Sequence, residues 1–347
     1  MMKMLKVSIM GGSGYTGSEL LRLLINHPHI SIDQITSRQD EGKYVADVFP
    51  FLEGKIDQTF THPEKVSFDH SDLVFFATPN GVAMRYAKNL LDQGKKIIDL
   101  AADFRIKDIS LWENWYQMKH ECPELAQKAV YGLTEINKDQ IKEAQLIANP
   151  GCYPTAIQLA LVPLLKKDVI NESSIIIDAK SGISGAGKRQ DTNLLMSEAY
   201  DNFNAYSVGG HRHEPEIEEN LKQTTGNNKI DTVFVPHLLP MVRGIYATIY
   251  ADLKMDINVE LINKIYTDFY QSSYFVNFLG NDQVPQTKSV RGSNQCKISF
   301  FKRKNKLIIL STIDNLVKGA AGQAIQNMNV MFGIEENIGL DIIPVSP

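Results

Sequence analysis

The chain has 347 residues, enough for two domains, and its 43% hydrophobic and 22% charged content is typical of a globular protein with a sizeable core. A net charge of −4 argues against nucleic acid as the main partner. Three widely spaced cysteines make no disulfide framework, the first apolar run is too short for a signal peptide, and no stretch approaches the ~20 apolar residues of a membrane span. We therefore expect a protein of the reducing cytoplasm.

The first motif along the chain is a glycine-rich turn. Residues 5–10 are predicted to form a buried strand, and an amphipathic helix with Leu20, Leu21 and Leu24 follows the turn. The turn has the G-x-G-x-x-G pattern in the strand–turn–helix context typical of dinucleotide binding, where a diphosphate lies at the helix N-terminus. The alternative is a tight turn without a ligand. The predicted cofactor contacts are Gly12, Ser13, Gly14, Tyr15, Thr16 and Gly17.

The end of the second predicted strand indicates which dinucleotide is bound. An NAD site usually has an acidic residue about 20 residues after the glycines, to hold the ribose hydroxyls. This chain has Ser37 and Arg38 there, which suit a 2′-phosphate and predict NADP. A solvated arginine without a ligand is the alternative. Asp40 and Glu41 also lie close in sequence, so the choice between NADP and NAD stays open at this point.

Strands and helices continue to alternate, with predicted strands at residues 73–77 and 96–101. Such repeated units predict a doubly wound parallel sheet of the Rossmann type, with ligands at the carboxyl ends of its strands. Arg105 follows one strand end and could bind an anionic substrate group through two hydrogen bonds. A structural ion pair with Asp103 or Asp108 is the alternative.

Cys152 lies in a turn between a short predicted strand, residues 145–148, and a helix that we expect to begin near Thr155. Pro163 should kink or restart that helix. The positive end of the helix dipole favours a thiolate, which is the reactive form of cysteine. The alternative is a small buried apolar side chain. The flanking glycine and prolines and the histidines below favour a nucleophile.

The second half of the chain opens with a predicted strand at residues 174–179 and a loop of small residues at 180–188 with a lysine at each end. Backbone N–H groups of such a loop could hold a phosphate, although glycine-rich loops are often only flexible. His211 and His213 follow, and Pro215 suits the first position of a helix. His213 would then precede a helix N-terminus, which disfavours the imidazolium and leaves a neutral base. Metal binding or a solvated polar loop are the alternatives.

Strands dominate the remainder, with a hairpin at residues 297–310 and a helix at about 258–271. A final helix is expected at residues 314–326. The second half of the chain is therefore predicted to be an α+β domain with an antiparallel or mixed sheet. The expected domains are an NADP-binding Rossmann domain at 1–148, a catalytic and oligomerisation domain at 149–312, and a C-terminal segment at 313–347 that returns to the Rossmann domain.

Taken together, the motifs resemble those of the N-acetyl-γ-glutamyl-phosphate reductase family over nearly the whole length. One departure is Asn80, where many members have histidine, and another is Lys188 in place of a common arginine. Both lie beside expected ligand sites. The motifs that carry the resemblance are residues 12–17, 102–105, 149–155, 180–187, 211–217 and 318–323.

The resemblance implies a cytoplasmic, usually tetrameric, NADPH-dependent enzyme of arginine biosynthesis. Cys152 would attack the acyl phosphate, expel phosphate and form a thioester, which hydride from NADPH would convert through a thiohemiacetal into N-acetylglutamate semialdehyde. His213 would be the acid–base group. Further cofactor contacts are expected from Pro79, Gly185 and Asn315, and substrate contacts from Arg105, Asn149, Lys180, Ser181 and His211.

Two other functions fit the same residues. One is a related acyl-phosphate reductase that uses an aspartyl or aminoadipyl substrate, because a change in acyl length leaves no motif of its own. The other, from a different class, is an NADP-binding redox sensor that responds through Cys152. A sensor would not need the histidine pair and the phosphate-type loop as well, and turnover would separate the two.

Overall fold

The computed structural model describes residues 4–188 and 190–345. Its two compact units are residues 1–150 with 320–341, and residues 151–319 with 342–347. Each unit is built around its own β-sheet. The first sheet belongs to what we call the nucleotide unit, and the second to what we call the catalytic unit.

The nucleotide unit has a six-stranded sheet in the order β2-β1-β3-β4-β6-β5, with every neighbouring pair parallel. This is the doubly wound arrangement that alternating strands and helices predict, so the expected fold class is confirmed. The strands are β1 Leu5–Met10, β2 Ile30–Ile35, β3 Leu73–Phe76, β4 Lys96–Asp99, β5 Val130–Tyr131 and β6 Leu146–Ala148. The helices before β6 are α1 Tyr15–Leu24, α2 Val45–Val48, α3 Ala83–Asp92, α4 Ile109–Tyr116, α5 Pro123–Lys128 and α6 Thr134–Glu143.

The catalytic unit has a seven-stranded mixed sheet in the order β11-β12-β13-β10-β7-β9-β8. Two of its pairs, β7 with β9 and β11 with β12, are parallel, and the others are antiparallel. The strands are β7 Ile175–Gly182, β8 Asn204–Ala205, β9 Thr232–Leu239, β10 Ile245–Asp252, β11 Val276–Asn281, β12 Cys296–Arg303 and β13 Lys306–Ile313. The helices are α7 Cys152–Lys166, α8 Met196–Ala199, α9 His213–Thr225 and α10 Val259–Tyr270.

Helix α7 runs unbroken through Pro163, so the expected restart of this helix is wrong. A proline has no N–H to give to the carbonyl four residues earlier, which here is that of Leu159. The hydroxyl of Tyr270 donates to this carbonyl instead, and the hydroxyl of Tyr266 donates to the carbonyl of Ala160 at 2.6 Å. Two tyrosines of α10 thus satisfy backbone groups of α7 beside the proline, and the helix can continue.

Other boundaries also differ from the sequence-based expectation. Helix α7 begins at Cys152, three residues before the expected start near Thr155. Strand β7 continues to Gly182, because residues that resemble a loop pair with both β9 and β10. Helix α9 begins at His213, two residues before Pro215. The last helix, α11 Gly322–Met331, begins only after a π-helical turn at Val317–Ala321. Helix α11 packs against α1, α6 and β4 of the nucleotide unit.

Within the described ranges, every helix is either too short or too polar to cross a membrane.

Candidate active site

Cys152 is the first residue of α7, and Gly151 is the N-cap, with an extended backbone at φ −67° and ψ 158°. The Gly151 N–H donates to Oε1 of Glu216 at 2.8 Å, and Glu216 is fully buried in the first turn of α9. The Gly151 carbonyl accepts from the hydroxyl of Thr155 at 2.9 Å. The first turns of α7 and α9 are therefore fixed to each other, and the cysteine stands at the positive end of a helix dipole.

The two histidines lie at the start of α9. The His213 N–H donates to Nδ1 of His211 at 3.0 Å, and the two imidazole centroids are 4.8 Å apart. Because Nδ1 of His211 accepts this bond, the neutral ring carries its proton on Nε2. Burial, with a smaller contribution from the Arg212 charge, lowers the pKa of His211 to about 4. At neutral pH His211 is therefore an uncharged donor and a weak base.

Tyr153, next to the cysteine, packs edge-to-face on both histidines, with ring centroids 5.9 Å from each. Its hydroxyl donates to the His237 carbonyl at 3.2 Å and accepts from the hydroxyl of Tyr206 at 3.3 Å. Burial raises the pKa of both phenols, that of Tyr206 to about 12. Sequence reasoning missed both residues. Tyr153 lies inside the cysteine motif, whereas Tyr206 has no motif of its own.

Lys180 lies on β7 in an ionic cluster that the sequence did not indicate. Its Nζ is 2.7 Å from Oδ2 of Asp178, and Nδ1 of His237 on β9 is 3.1 Å from Oδ1 of the same carboxylate. The imidazole and the carboxylate do not meet in hydrogen-bond geometry, so the lysine is the closer partner of Asp178. The predicted substrate-binding lysine thus already faces a carboxylate.

The small-residue stretch after Lys180 does not present its backbone as a phosphate cradle. The N–H groups of Gly182, Ile183 and Ser184 donate to the carbonyls of Gly244, Met241 and Val242 respectively, at 2.9–3.1 Å. The expectation of an anion site in these N–H groups is not supported, because pairing to a neighbouring segment has already used them. Ser181, predicted to bind substrate, is buried and donates to the Gly182 carbonyl at 2.9 Å.

Two residues predicted to contact the cofactor, Gly185 and Asn315, pack within or against residues 180–188. Asn315 accepts from the Gly244 N–H at 2.7 Å through Oδ1 and donates to the Ser184 hydroxyl at 2.9 Å through Nδ2. A Cβ at Gly185 would lie 2.7 Å from Oγ of Ser181, so a side chain here would displace the buried Ser181 hydroxyl. These contacts lie within the catalytic unit, and the role of both residues toward a cofactor stays a prediction.

In the nucleotide unit the glycine-rich turn has the shape that a diphosphate site needs. A Cβ at Gly12 would lie 2.4 Å from Cγ2 of Ile35, and one at Gly17 would lie 2.5 Å from the Gly12 carbonyl oxygen, so both pack too closely for a side chain. Gly14, where a Cβ would lie 4.0 Å from the Gly11 carbonyl oxygen, is the N-cap of α1, whose start has no side-chain cap and no acidic residue. Tyr15 and Thr16 then form the first turn of α1. The positive helix end is thus available to an anion.

The predicted 2′-phosphate residues lie beside this turn. The hydroxyls of Ser13 and Ser37 are 2.8 Å apart, and Arg38 is exposed. Within residues 4–188 and 190–345, Arg38 makes no hydrogen bond or ion pair. Asp40 and Glu41 are already paired with Lys43 at 2.9 Å and with Lys65 at 2.7 Å. These residues therefore fit a phosphate better than a ribose hydroxyl.

Arg105 and Asn149, predicted to bind substrate, have structural contacts. Arg105 is buried, and it donates from Nε to the Asn149 carbonyl and from Nη2 to the Leu100 carbonyl, each at 2.7 Å. The Asn149 side chain is fully buried between the Ala320 carbonyl and the Asn327 amide. These contacts give no support to a role in substrate binding.

A carboxylate that sequence reasoning had considered only as an ion-pair partner organises the loop after β3. Asp103 accepts from the N–H groups of Gly81 at 2.7 Å and Met84 at 3.1 Å, and so caps α3. Asn80 accepts from the Ala102 N–H at 3.1 Å, and Pro79, a predicted cofactor contact, is exposed beside it. The loop is thus tied to the end of β4.

Of the three cysteines, only Cys152 is partly exposed; Cys122 and Cys296 are buried, and burial raises the pKa of the Cys122 thiol. Among the residues that the structure describes, no group of three or more His, Cys, Asp or Glu side chains is arranged to hold a metal ion. A single cysteine is thus both accessible and placed at a helix N-terminus.

Comparison with known proteins defines the class. Residues 6–144 match the family described as "Semialdehyde dehydrogenase, NAD binding domain", and residues 152–315 match "Semialdehyde dehydrogenase, dimerisation domain". The fold is similar to aspartate semialdehyde dehydrogenase II of Vibrio cholerae complexed with ASA, with a TM-score of 0.74 at 16% identity over 95% of this chain and 99% of that one. It is also similar to aspartate semialdehyde dehydrogenase with NADP from Candida albicans, with a TM-score of 0.69 at 16% identity over 97% and 100%. The chain is an oxidoreductase of the semialdehyde dehydrogenase class with an NAD(P)-binding Rossmann domain.

Closer relatives narrow the class to one family. The chain is 52% identical to N-acetyl-gamma-glutamyl-phosphate reductase of Thiobacillus denitrificans over 99% of this chain and 100% of that protein. It is 51% identical to the enzyme of the same name from Aromatoleum aromaticum and 50% identical to that of Acinetobacter baylyi, with the same coverage. The chain belongs to the N-acetyl-γ-glutamyl-phosphate reductase family, and the resemblance drawn from its motifs is confirmed.

Proposed function

We propose that the protein catalyses the NADPH-dependent reductive dephosphorylation of N-acetyl-γ-glutamyl phosphate to N-acetylglutamate 5-semialdehyde and phosphate, as a step of arginine biosynthesis. The observation that carries this proposal is Cys152 at the N-terminus of α7, fixed to the start of the histidine-bearing helix α9 through Gly151 and Glu216. The identity of the acyl group is inferred from the names of relatives that are about 50% identical over the full chain.

In the first half of the reaction, the Cys152 thiolate attacks the acyl carbon, the bond to the phosphate oxygen breaks, and phosphate leaves with the electron pair. The product is a thioester on Cys152. The helix dipole stabilises the thiolate, and we assign the acceptance of its proton to His213, at the start of α9. His211, neutral and with a proton on Nε2, is suited to donate to the substrate carbonyl.

In the second half, the thioester carbonyl is reduced and the carbon–sulfur bond breaks, which releases the aldehyde and returns the thiolate. NADPH, when bound, supplies the hydride. Sulfur suits both halves, because a thiolate is a good nucleophile and a good leaving group. We keep Lys180 as a candidate contact for the substrate anion, since its amine is only partly buried.

For the cofactor, we assign residues 1–148 to NADP binding. The start of α1 with Gly12, Gly14 and Gly17 would hold the diphosphate, and Ser37 and Arg38 would hold the 2′-phosphate. We assign residues 149–312 to catalysis and oligomerisation and 313–347 to the return segment. A cytoplasmic location is part of the proposal, because that compartment keeps Cys152 reduced.

Arg38→Ala tests the cofactor assignment. Loss of one charged hydrogen bond costs about 1.5–3 kcal/mol, so the Michaelis constant for NADPH should rise about tenfold or more while NADH use stays unchanged. Steady-state kinetics with both cofactors measure this. Gln39→Ala, at the adjacent exposed position, is the matched control and should leave both constants unchanged. Equal damage to the two cofactors in Arg38→Ala would show that Arg38 has a structural role.

A substrate panel tests the acyl group. N-acetyl-γ-glutamyl, aspartyl and aminoadipyl phosphates would be supplied with NADPH, and NADPH consumption followed by absorbance. We expect kcat/KM to be highest for the N-acetylglutamyl compound. A preference for either of the others would reassign the substrate, and no turnover with any of them would favour the sensor function.

We further propose that the protein forms a homo-oligomer, a dimer or a tetramer, through the outer face of the seven-stranded sheet. Ile176, Val233 and Tyr250 are 47%, 57% and 37% exposed on that face. Ile176 on β7 is the register partner of both Val233 on β9 and Tyr250 on β10, so the three form one apolar row. An apolar row of this kind marks a contact surface rather than a solvated face, and this part of the chain matches the family dimerisation domain.

Val233→Asp should dissociate that assembly, because it would bury an unpaired charge at the contact. Sedimentation velocity should show a smaller species than the parent protein. Met255→Asp is the control: Met255 is 63% exposed in a bend that follows β10 and belongs to no strand of the sheet, and its variant should keep the parent mass. An unchanged mass in Val233→Asp would place the contact elsewhere.

A further inference from the structure

Gly319 is buried in the π-helical turn that precedes α11, and it lies directly against the nucleophile. A Cβ at position 319 would be 2.7 Å from Cβ of Cys152 and 3.2 Å from its Cα. Cβ atoms do not approach other non-bonded, non-hydrogen atoms within 3.0 Å, so a methyl group here must displace one of its neighbours. The neighbours are Cα and Cβ of Cys152, and a change of side-chain rotamer moves neither atom.

Both sides of this contact are anchored. On the cysteine side, the Gly151 N–H is held by the buried carboxylate of Glu216 at 2.8 Å. On the other side, the Gly319 N–H donates to the carbonyl of Asp314 at 2.9 Å. The buried Asp314 carboxylate accepts from the N–H groups of Leu316 at 2.8 Å and Gly292 at 2.7 Å. A methyl group at position 319 would therefore either shift the first turn of α7 or break the π-helical turn that contains Gly319.

We propose that Gly319 is a positioning residue for the nucleophile. The backbone of the π-helical turn at Val317–Ala321 packs against Cβ of Cys152 and so determines where its sulfur lies. Single π-helical turns are frequent at functional sites. A displacement of about 1 Å at a reacting group can cost ~10²-fold in rate. This inference rests on the proposed role of Cys152. It assigns a function to the backbone of residue 319, which lies in the motif at residues 318–323 that the sequence analysis left without a chemical role.

Gly319→Ala is the test, with three measurements. We expect kcat per titrated active site to fall by ~10²-fold, with the Michaelis constant for NADPH within twofold of the parent. The rate of Cys152 alkylation by iodoacetamide, followed against pH, should have its midpoint at higher pH, because the sulfur leaves its place at the helix N-terminus. A merely structural role would lower the folded fraction and leave the rate per titrated site and the alkylation midpoint unchanged.

Gly226→Ala is the matched control. Gly226 is the left-handed C-cap of α9 at φ +70°, and a Cβ there meets nothing within 4 Å. The same substitution should therefore lower the melting temperature and leave kcat and the alkylation midpoint at parent values. If Gly319→Ala does not fold, Asp314→Asn loosens the same turn and should give a smaller change in the same direction.

Parent values of kcat and of the alkylation midpoint in both Gly319→Ala and Asp314→Asn would overturn the positioning role. Failure of the proposed function has a different signature, since it would appear as full activity in Cys152→Ser.

Discussion

Cys152→Ser is expected to abolish reduction of the acyl phosphate, by ~10⁴-fold or more, because a serine hydroxyl is far less acidic than a thiol and gives an ester that transfers its acyl group sluggishly. Cys152 is the first residue of α7, where the helix dipole favours the thiolate that serine cannot supply near neutral pH. Steady-state NADPH consumption measures the loss, and mass spectrometry of the quenched enzyme should show an acyl adduct on the parent only.

Cys296→Ala is the control for this substitution. Cys296 is buried on β12, with Sγ 3.7 Å from the Ser311 hydroxyl, so its loss should lower stability and leave kcat unchanged. Iodoacetamide should inactivate the parent and the control at the same rate. Activity retained in Cys152→Ser would refute covalent catalysis by this residue.

The second large effect is expected from His213→Asn, which should lower kcat by ~10²–10⁴-fold, the usual cost of removing a positioned acid–base group. NADPH binding should be unchanged, because His213 is not among the residues predicted to contact the cofactor. Quenched-flow measurement of thioester formation separates this step from the hydride step.

His211→Asn is the comparison that assigns the two roles. An asparagine oxygen can accept the His213 N–H in place of Nδ1, so the start of α9 should be preserved. With a pKa of about 4, His211 is a poor base and is neutral at neutral pH. We therefore expect His211→Asn to act mainly on the Michaelis constant for the acyl phosphate. A greater loss of kcat in this variant than in His213→Asn would exchange the two roles.

The glycine-rich turn and the cysteine turn could be predicted from the sequence, because residues that are close in sequence determine their conformation. The turn at residues 12–17 and the cysteine turn each place glycine, a strand end and a helix start within a few residues. Alternation of strand and helix was enough to predict the parallel sheet, since its connections follow the chain.

What the sequence did not predict depends on partners distant in the chain. The carboxylate of Glu216 holds Gly151 from 65 residues away in sequence. Gly319 packs directly against Cys152, although the two lie near opposite ends of the sequence of the catalytic unit. Residues 180–182 resembled a loop by composition, yet pairing with β9 and β10 extends the strand over them. For Arg105, the pattern could not distinguish a guanidinium open to substrate from one bonded to two carbonyls.

The most direct test of the covalent mechanism is the reverse reaction with and without phosphate. Parent enzyme would be supplied with N-acetylglutamate semialdehyde and NADP, and NADPH formation followed by absorbance. A thioester on Cys152 needs phosphate, or arsenate in its place, to accept the acyl group. We predict steady turnover only when one of these anions is present, and otherwise a single burst no larger than the enzyme concentration. Steady formation of the free acid at full rate without phosphate would contradict the acyl-phosphate mechanism and point to a hydrolytic aldehyde dehydrogenase.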